Sequence, residues 1–307
     1  MSTYAYFRGE IVPLGEAKIG VMNHTFNYGT GVFEGVRGYW NEDEQQLYLF
    51  RLKEHYERMQ RSCRILTMAL PFDVPKLIEV TVELVRRNEH REDCYVRPLA
   101  YKDSELIGVR LHSLPDEFLI YSAPFGKYLP PGGGIRCCTS SWRRIDDNAI
   151  PGRAKVTGLY VNSALSKSEA MLDGYDEAIV LTHSGFVSEG SAENIFIVVD
   201  GKLITPPASE NILVGVTRNT VIQLAKEEAG IETIERSIAR TELYSADEVI
   251  LTGSAAEVTP VGEIDRRPIG NGGVGPVATR LQELYSRVVR GQIDRYAEWC
   301  TPVYIKE

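Results

Sequence analysis

The feature that most constrains the fold of this chain is a segment rich in proline and glycine near its middle. Residues 123–134 read APFGKYLPPGGG. A segment of this composition cannot lie inside a helix or a central strand, so we predict that it is an interdomain loop. It divides the 307 residues into a small N-terminal domain of residues 1–122 and a larger C-terminal domain of residues 135–307.

Both predicted domains mix helices and strands. The N-terminal domain is predicted to contain strands at 47–50, 94–101 and 117–123 and helices over about 52–66 and 76–88. The C-terminal domain is predicted to contain strands at 177–182 and 194–199, a strand–turn–strand over 247–261, and helices at about 158–172, 217–230 and from Pro276. Thr217 is the expected N-cap of its helix, and Asp200-Gly201 is an expected hairpin turn. Because helices and strands do not alternate regularly, the predicted class is α+β with largely antiparallel sheets.

Composition and charge argue against several classes of protein. The chain has 34 basic and 42 acidic residues, a net charge of -8 and no basic block, so nucleic-acid binding is not expected. No stretch approaches the length of a membrane span, and the N-terminus lacks the pattern of a signal peptide. The five cysteines form no C-x-x-C pair, which is typical of reduced, mostly buried thiols in a cytoplasmic protein.

The sequence also lacks the common motifs of several enzyme classes. It contains no G-x-x-x-x-G-K-[ST], no H-E-x-x-H and no G-x-S-x-G, and its G-x-G-x-x-G string at 270–275 does not directly follow a predicted strand, as a dinucleotide-binding turn would. Its five histidines are scattered, so no metal site is predicted. These observations disfavour Rossmann-type, P-loop, zinc-protease and serine-hydrolase functions.

Two charged residues are candidates for cofactor chemistry. Lys155, in RAKVTGLYVNS just before a predicted helix, is either a solvated charge or a buried amine that forms a Schiff base with a carbonyl cofactor. Glu189, in FVSEGSAENIF, is either a solvent-facing turn residue or the acid that keeps the pyridine nitrogen of pyridoxal phosphate protonated. Glu193 is the weaker candidate for that role because it adjoins the next strand.

Further candidates could bind anions. The segments GVTRN and TGSAAE form either tight turns and caps or a phosphate cup, made of helix N-terminal N–H groups and the hydroxyls of Thr217 and Ser254. Arg58 lies off the apolar stripe of its helix and is either exposed or the cation that completes this cup. Tyr95 and Arg97 alternate onto one strand face, where they are either solvated or suited to a substrate carboxylate.

Taken together, these segments resemble the fold-type IV aminotransferases and, within them, the branched-chain amino acid aminotransferases. The matching segments, in family order and spacing, are FNYGTGVFEGVRGY, HYERM, YVRP, RAKVTGLYVNS, GYDEAIVL, VSEGSAENIF, GVTRN and TGSAAEVTPVGEIDRRPIG. The resemblance implies an α+β fold with a small N-terminal α/β sandwich and a larger C-terminal pseudo-barrel domain. It also implies that pyridoxal 5'-phosphate binds at the domain interface.

The resemblance further implies a role for each candidate. Lys155 would form the Schiff base, Glu189 would meet the pyridine nitrogen, and Tyr160 would lie against the 3'-oxygen. The phosphate would be held by Arg58, Val216, Thr217 and Ser254. The substrate site would be lined by Tyr28, Phe33, Tyr95, Arg97, Phe125, Gly253, Ser254 and Ala255, with Val109 offered by a neighbouring subunit. The chain would therefore be at least a homodimer, with small-molecule amino acids and 2-oxo acids as its other partners.

The implied reaction is ping-pong transamination of L-leucine, L-isoleucine or L-valine with 2-oxoglutarate, in which Lys155 moves the substrate proton as base and acid. The sequence departs from the family at Phe125, Ser254 and Leu159, where tryptophan, threonine and asparagine are frequent. The departures at Phe125 and Ser254 concern the substrate range, including side activity on bulky donors or (R)-primary amines. The alternatives are a D-amino-acid or (R)-amine aminotransferase and, less favoured, an aminodeoxychorismate lyase or a catalytically inactive binding protein.

Overall fold

The computed structural model describes residues 3–129 and 133–305 of the chain, and these form two compact units. The first unit consists of the described residues within Met1–Gly126, Ala154–Gly158 and Arg287–Glu307, and the second of those within Lys127–Arg153 and Leu159–Ser286. The predicted division differs from this one, because it assigned the segment around Lys155 and the C-terminus to the second domain. Strand pairing and close packing, rather than chain order, place both segments in the first unit. Residues 130–132 of the predicted loop lie outside the described residues.

The first unit is built on a sheet of eight strands among its described residues. These strands are β1 (Tyr4–Phe7), β2 (Glu10–Pro13), β3 (Gly31–Phe33), β4 (Val36–Asn41), β5 (Gln46–Phe50), β6 (Cys94–Lys102), β7 (Asp116–Pro124) and β17 (Cys300–Pro302). Their order is β17-β5-β4-β6-β7-β1-β2, with β3 paired to β6, and every pair is antiparallel. The strands predicted at 47–50, 94–101 and 117–123 are confirmed as β5, β6 and β7.

Three helices accompany this sheet: α1 (His24–Tyr28), α2 (Leu52–Ile65) and α3 (Val74–Arg87). The predicted apolar stripe of α2 is confirmed, since Leu52, Tyr56, Met59 and Cys63 are all buried. Burial of such a stripe is what fixes an amphipathic helix to a sheet. Among residues 3–129 and 133–305, none of the helices is long and apolar enough to cross a membrane.

The second unit carries a mixed sheet. Its strands are β8 (Ile135–Arg143), β9 (Glu177–Leu181), β10 (Val187–Gly190), β11 (Asn194–Val199), β12 (Lys202–Thr205), β13 (Thr233–Glu235), β14 (Glu248–Gly253), β15 (Glu257–Ile264) and β16 (Arg267–Pro268). They follow the order β10-β9-β8-β15-β14-β11-β12-β13, with β16 paired to β15. Three of the pairs are parallel: β8–β9, β8–β15 and β12–β13. The α+β class and the mostly antiparallel pairing are thus confirmed, with these three parallel exceptions.

The helices of the second unit are α4 (Tyr160–Leu172), α5 (Val216–Glu228), α6 (Glu242–Ser245) and α7 (Pro276–Val288), most of which lies in this unit. The hairpin predicted at Asp200-Gly201 is confirmed, because it joins the antiparallel strands β11 and β12. Both of its residues have positive φ angles, as a tight two-residue hairpin turn requires. The core of the unit consists of apolar side chains from β8–β12, β14 and β15, with Ile204, Ile238 and Leu243 among them.

Candidate active site

Lys155 is held in the first unit by a close approach of two backbone segments. Thr157 Oγ1 donates to the carbonyl oxygen of Gly29 at 2.8 Å, and the Gly158 N–H donates to the same oxygen at 3.0 Å. A Cβ on Gly29, whose φ is +67°, would lie 2.7 Å from the Gly158 Cα. Glycine is therefore required at position 29, and a Cβ on Gly158 would lie a tight 3.1 Å from the Gly29 carbonyl oxygen. This contact holds the segment that carries Lys155 to the first unit, without any contribution from helix α4, which follows it.

The amine of Lys155 lies in an environment that favours its neutral form. The backbone of Lys155 is fixed on both sides, since its carbonyl accepts from the Phe33 N–H at 3.0 Å and its N–H donates to Ser62 Oγ at 3.3 Å. Its Nζ atom lies 5.0 Å from the centre of the Phe33 ring. Burial, followed by the nearby guanidinium of Arg58, lowers the pKa of Lys155 to about 8. Lys155 is therefore not a solvated charge, and its lowered pKa favours the neutral amine.

Arg58 is buried in an ion cluster that sequence reasoning missed. Its Nε and Nη2 atoms donate to the two oxygens of Glu34 at 2.8 and 2.7 Å, and His55 Nδ1 lies 2.7 Å from the second oxygen. Burial alone would raise the pKa of Glu34, but the Arg58 guanidinium and the hydrogen bonds from Arg58 and His55 hold it well below its usual range. Burial also lowers the pKa of His55. Glu34 and His55 therefore orient Arg58, which is not exposed.

Tyr95 and Arg97 lie on one face of β6, as predicted, and the Phe33 ring lies near both Arg97 and Lys155. Arg97 Nη2 donates to the Tyr95 hydroxyl at 2.9 Å, and the Arg97 guanidinium lies 4.5 Å from the centre of the Phe33 ring. The Nε atom of Arg97 is buried and has no hydrogen-bond partner among the described residues. Because an unpaired buried donor is costly, Arg97 is suited to bind an anionic group of a ligand.

Phe125 is anchored to the first unit, although the sequence placed it in a flexible loop. Its N–H donates to the carbonyl oxygen of Asp93 at 2.9 Å. Its ring centre is 5.2 Å from that of Tyr95 and 4.9 Å from the Arg37 guanidinium. Arg37 in turn donates to the Gly126 carbonyl at 3.1 Å. Phe125 therefore forms a fixed wall next to Tyr95 and does not move freely with a linker.

Two further candidates, Tyr28 and Val109, lie on exposed parts of the first unit. The Tyr28 hydroxyl accepts from the Gly108 N–H at 3.1 Å, so that α1 and the loop of Val109 are joined. Val109 is 76% exposed and Ile107 is 91% exposed.

In the second unit, Glu189 is buried and surrounded by hydrogen-bond donors. Its Oε1 lies 2.7 Å from Nη2 of Arg144. Its Oε2 accepts from the side-chain amide of Asn194 at 3.0 Å and from the Leu213 N–H at 3.1 Å. Glu189 is therefore not a solvent-facing turn residue. Arg144 and Leu213 were not predicted as site residues.

The start of α5 lies next to Glu189 and contains the predicted anion-binding residues. The N-cap is Gly215 and not Thr217 as predicted, and it has no capping side chain. A Cβ at Gly215 would lie 2.1 Å from the side-chain oxygen of Asn194, so a larger residue here would displace the Asn194 side chain, which donates to Glu189. Val216 and Thr217 are consequently the first two residues of α5. Their N–H groups have no partner within the helix.

The turn that follows β14 completes the set of candidates in the second unit. Thr252 is paired with Asn194 across β14 and β11. A Cβ at Gly253 would lie 3.6 Å from the Ala192 carbonyl oxygen, so the turn from Gly253 to Ala255 passes close to the β10–β11 turn. The Gly253–Ala255 turn therefore lies against Ala192 and Glu193, in the segment that joins β10, which carries Glu189, to β11. Tyr160 is partly buried at the first position of α4.

Comparisons with known proteins identify the family. The profile of class IV aminotransferases matches residues 31–264. A probable branched-chain-amino-acid aminotransferase of Aquifex aeolicus is 55% identical over 99% of this chain and 97% of that protein. The crystal structure of the branched-chain aminotransferase of Thermoproteus uzoniensis with norvaline has a TM-score of 0.95 and 45% identity, and it covers 99% of this chain and 100% of that chain.

A second solved structure is the T.th. branched-chain amino acid aminotransferase complexed with N-(5'-phosphopyridoxyl)-L-glutamate. It has a TM-score of 0.94 and 45% identity, with 99% of each chain covered. These similarities extend over both units. Their sequence identities of 45% and 55% are well above the level at which only a common fold can be concluded. They confirm the predicted fold type. The chain therefore belongs to the class IV aminotransferases, and within them to the branched-chain amino acid aminotransferases.

Proposed function

We propose that this protein is a pyridoxal-phosphate-dependent enzyme that transfers the amino group of L-leucine, L-isoleucine or L-valine to 2-oxoglutarate. The observation that carries the proposal is the amine of Lys155, whose pKa is lowered to about 8 by burial and by Arg58. A relative that is 55% identical is named a probable branched-chain-amino-acid aminotransferase, and another has been crystallised with a phosphopyridoxyl derivative of glutamate.

The described residues fit the cofactor in three respects. Lys155 supplies an amine with a lowered pKa, Glu189 a carboxyl group paired with Arg144, and the start of α5 a pair of N–H groups suited to a phosphate. Arg58, Ser254 and the hydroxyl of Thr217 would add to the phosphate site, and Tyr160 would contact the 3'-oxygen. When bound, the cofactor supplies an electron sink for the charge that develops as the substrate loses its Cα proton.

Lys155 would first hold the cofactor covalently and then move the Cα proton. Attack requires the neutral amine, and at a pKa of about 8 roughly a tenth of the side chains are neutral at pH 7. At the ordinary pKa of 10.5 the neutral fraction would be smaller by more than two orders of magnitude. The same amine can therefore accept and return a proton near neutral pH.

The first unit would recognise both substrates with one surface. Phe33, Tyr95 and Phe125 offer an apolar wall that accommodates a branched side chain. Arg97, with its unpaired Nε among the described residues, would pair with the γ-carboxylate of the second substrate. Tyr28, Gly253, Ser254 and Ala255 would contribute the remaining contacts.

A half-reaction tests the proposal. Purified protein loaded with pyridoxal phosphate should be yellow, and the visible band should disappear on addition of L-leucine and return on addition of 2-oxoglutarate. D-leucine at the same concentration should leave the band unchanged. A band that responds to the D-enantiomer alone would refute the assignment of the substrate.

Phe125→Trp is expected to narrow the donor range. Phe125 is a fixed wall between Tyr95 and Arg37, so the larger indole must take space from the pocket. One methylene in an apolar pocket is worth roughly 1–3 kcal/mol. We therefore expect kcat/KM for L-phenylalanine or an (R)-arylamine to fall about tenfold or more relative to that for L-leucine. An unchanged ratio would show that residue 125 does not set the range.

We propose that the protein acts as at least a homodimer in the cytoplasm. The loop of Leu106, Ile107 and Val109 presents apolar side chains to solvent, with Ile107 91% exposed, and such patches often mark interfaces. Ile107→Asp should shift the protein toward monomer in light scattering and reduce turnover, since Val109 would contribute to a neighbouring site. Ile305→Asp is the matched control, because Ile305 is 78% exposed outside this loop. A wild-type monomer with full activity would contradict the proposal.

A further inference from the structure

Arg144 is a buried arginine whose guanidinium is fixed against one oxygen of Glu189. The two groups are 2.7 Å apart, and both side chains are 5% exposed. Arg144 Nε donates to the Asn211 carbonyl oxygen at 3.2 Å, and the Arg144 N–H donates to the Leu181 carbonyl at 2.8 Å. The arginine is therefore held by its backbone, by its Nε and by the ion pair.

The donors that surround Glu189 favour its ionised form. Asn194 and the Leu213 N–H donate to Oε2, and Arg144 meets Oε1. Of these three donors, only Arg144 carries a charge. A buried carboxylate without a counter-charge is strongly disfavoured, so Arg144 makes the largest contribution of the three to keeping Glu189 ionised.

Glu193 lies at the other end of the turn that joins β10 to β11, and its surroundings favour the neutral form of its carboxyl group. Its side chain is also buried, but its Oε2 accepts only the Ala192 N–H among the contacts of the described residues. Burial, followed by the nearby charge of Glu177, raises the pKa of Glu193 to about 8. Lys167 offsets this only in part, because its amine is paired with Glu177 at 2.6 Å. Glu193 is thus mostly neutral at pH 7.

We propose that Arg144 is a positioning residue that holds Glu189 ionised and thereby selects it, and not Glu193, as the carboxylate that acts on the pyridine nitrogen. This inference rests on the proposed function, because that nitrogen belongs to the cofactor. Without Arg144, Glu189 would titrate at a higher pH. Below that pH it would be neutral and could no longer stabilise a protonated ring nitrogen.

The test compares Arg144→Gln and Arg144→Lys with Arg143→Gln. Arg143 is the adjacent residue, is exposed, and its side chain makes a single long hydrogen bond of 3.5 Å to the Ser140 carbonyl among the described contacts. Removal of the residue that hydrogen-bonds to a metal ligand costs about 10- to 100-fold, and we expect a loss of the same order for the residue that holds Glu189. We expect Arg144→Gln to lose that much kcat at pH 7 and to regain part of it as the pH rises. Arg144→Lys should retain more activity, and Arg143→Gln should match the wild type.

Two further measurements separate this role from a purely structural one. In the apoprotein, Arg144→Gln should lower the melting temperature more than the double variant Arg144→Gln/Glu189→Gln, which leaves no unpaired buried charge. In the holoenzyme, Arg144→Gln should cause little additional loss of kcat in a Glu189→Gln background.

The inference is overturned if Arg144→Gln has the wild-type pH profile, or if its loss is independent of pH and multiplies that of Glu189→Gln. Failure of the proposed function would look different, because the wild-type protein would then give no visible band with pyridoxal phosphate. Even in that case the melting temperatures of the apoproteins would test whether Arg144 and Glu189 act as a pair.

Discussion

Lys155→Ala is expected to lose kcat with L-leucine by a factor on the order of 10⁴ or more, because it removes both the nucleophile and the group that moves the Cα proton. The Gly29–Gly158 contact fixes the segment of Lys155, so a lysine elsewhere in the chain is not expected to replace it. Steady-state assays with L-leucine and 2-oxoglutarate provide the measurement. Lys53→Ala is the control, because Lys53 lies on the solvent face of α2.

Chemical trapping checks the same claim without turnover. Borohydride should fix the cofactor irreversibly to the wild-type protein, and peptide mapping should find it on Lys155. The Lys155→Ala variant should remain unlabelled, whereas Lys53→Ala should label like the wild type. Labelling of a different lysine would show that the reactive amine has been misidentified.

Glu189→Gln is expected to reduce kcat by about 10²- to 10³-fold with the fold and cofactor binding retained. A neutral amide occupies the same volume but cannot hold the ring nitrogen protonated, so charge that develops at Cα is less well stabilised. Glu193→Gln is the matched control in the same turn. The pKa of Glu193 is raised to about 8, so an amide resembles the neutral carboxyl group that predominates at pH 7.

The two variants should therefore differ sharply in kcat and little in their far-UV circular dichroism. Equal losses in both would mean that the turn as a whole, and not one carboxyl group, supports the reaction. Near-normal turnover of Glu189→Gln would show that Glu189 has only a structural role.

The sequence predicted those features that depend on local periodicity and turn chemistry. The apolar spacing of α2 and the strand alternation that places Tyr95 and Arg97 on one face are of this kind, as is the Asp200-Gly201 hairpin. Each is specified by residues within a few positions of one another. The individual sequence contexts made Lys155 and Glu189 candidates but left solvated alternatives open, and the family resemblance implied their roles.

Contacts between distant segments could not be predicted in this way. Arg58 meets Glu34 across 24 residues of sequence, and Arg144 meets Glu189 across an intervening helix and strand. Single charged residues in a sequence carry no sign of such pairing, so Arg58 remained ambiguous and Arg144 was missed. The N-cap of α5 was misassigned for a related reason, because the close approach of Gly215 to the Asn194 side chain cannot be seen in the residues next to Gly215.

The assignment of whole segments to one unit or the other also could not be predicted from the local sequence. A Pro- and Gly-rich stretch marks a boundary, but it does not show that residues 154–158 return to the first unit. That return depends on hydrogen bonds to Gly29 and on an antiparallel bridge between Val32 and Val156. The same limit applies to Phe125, which local composition placed in a flexible loop although Asp93 and Arg37 hold it.

The most direct test of the central claim is a comparison of amino donors with 2-oxoglutarate as the common acceptor. L-leucine, D-alanine and (R)-1-phenylethylamine would be assayed separately for glutamate formation, with the Lys155→Ala protein as the blank. The account predicts that L-leucine has the highest kcat/KM by a wide margin, with slow turnover of the arylamine and none of D-alanine. Absence of glutamate from L-leucine, or faster turnover of either competitor, would contradict it.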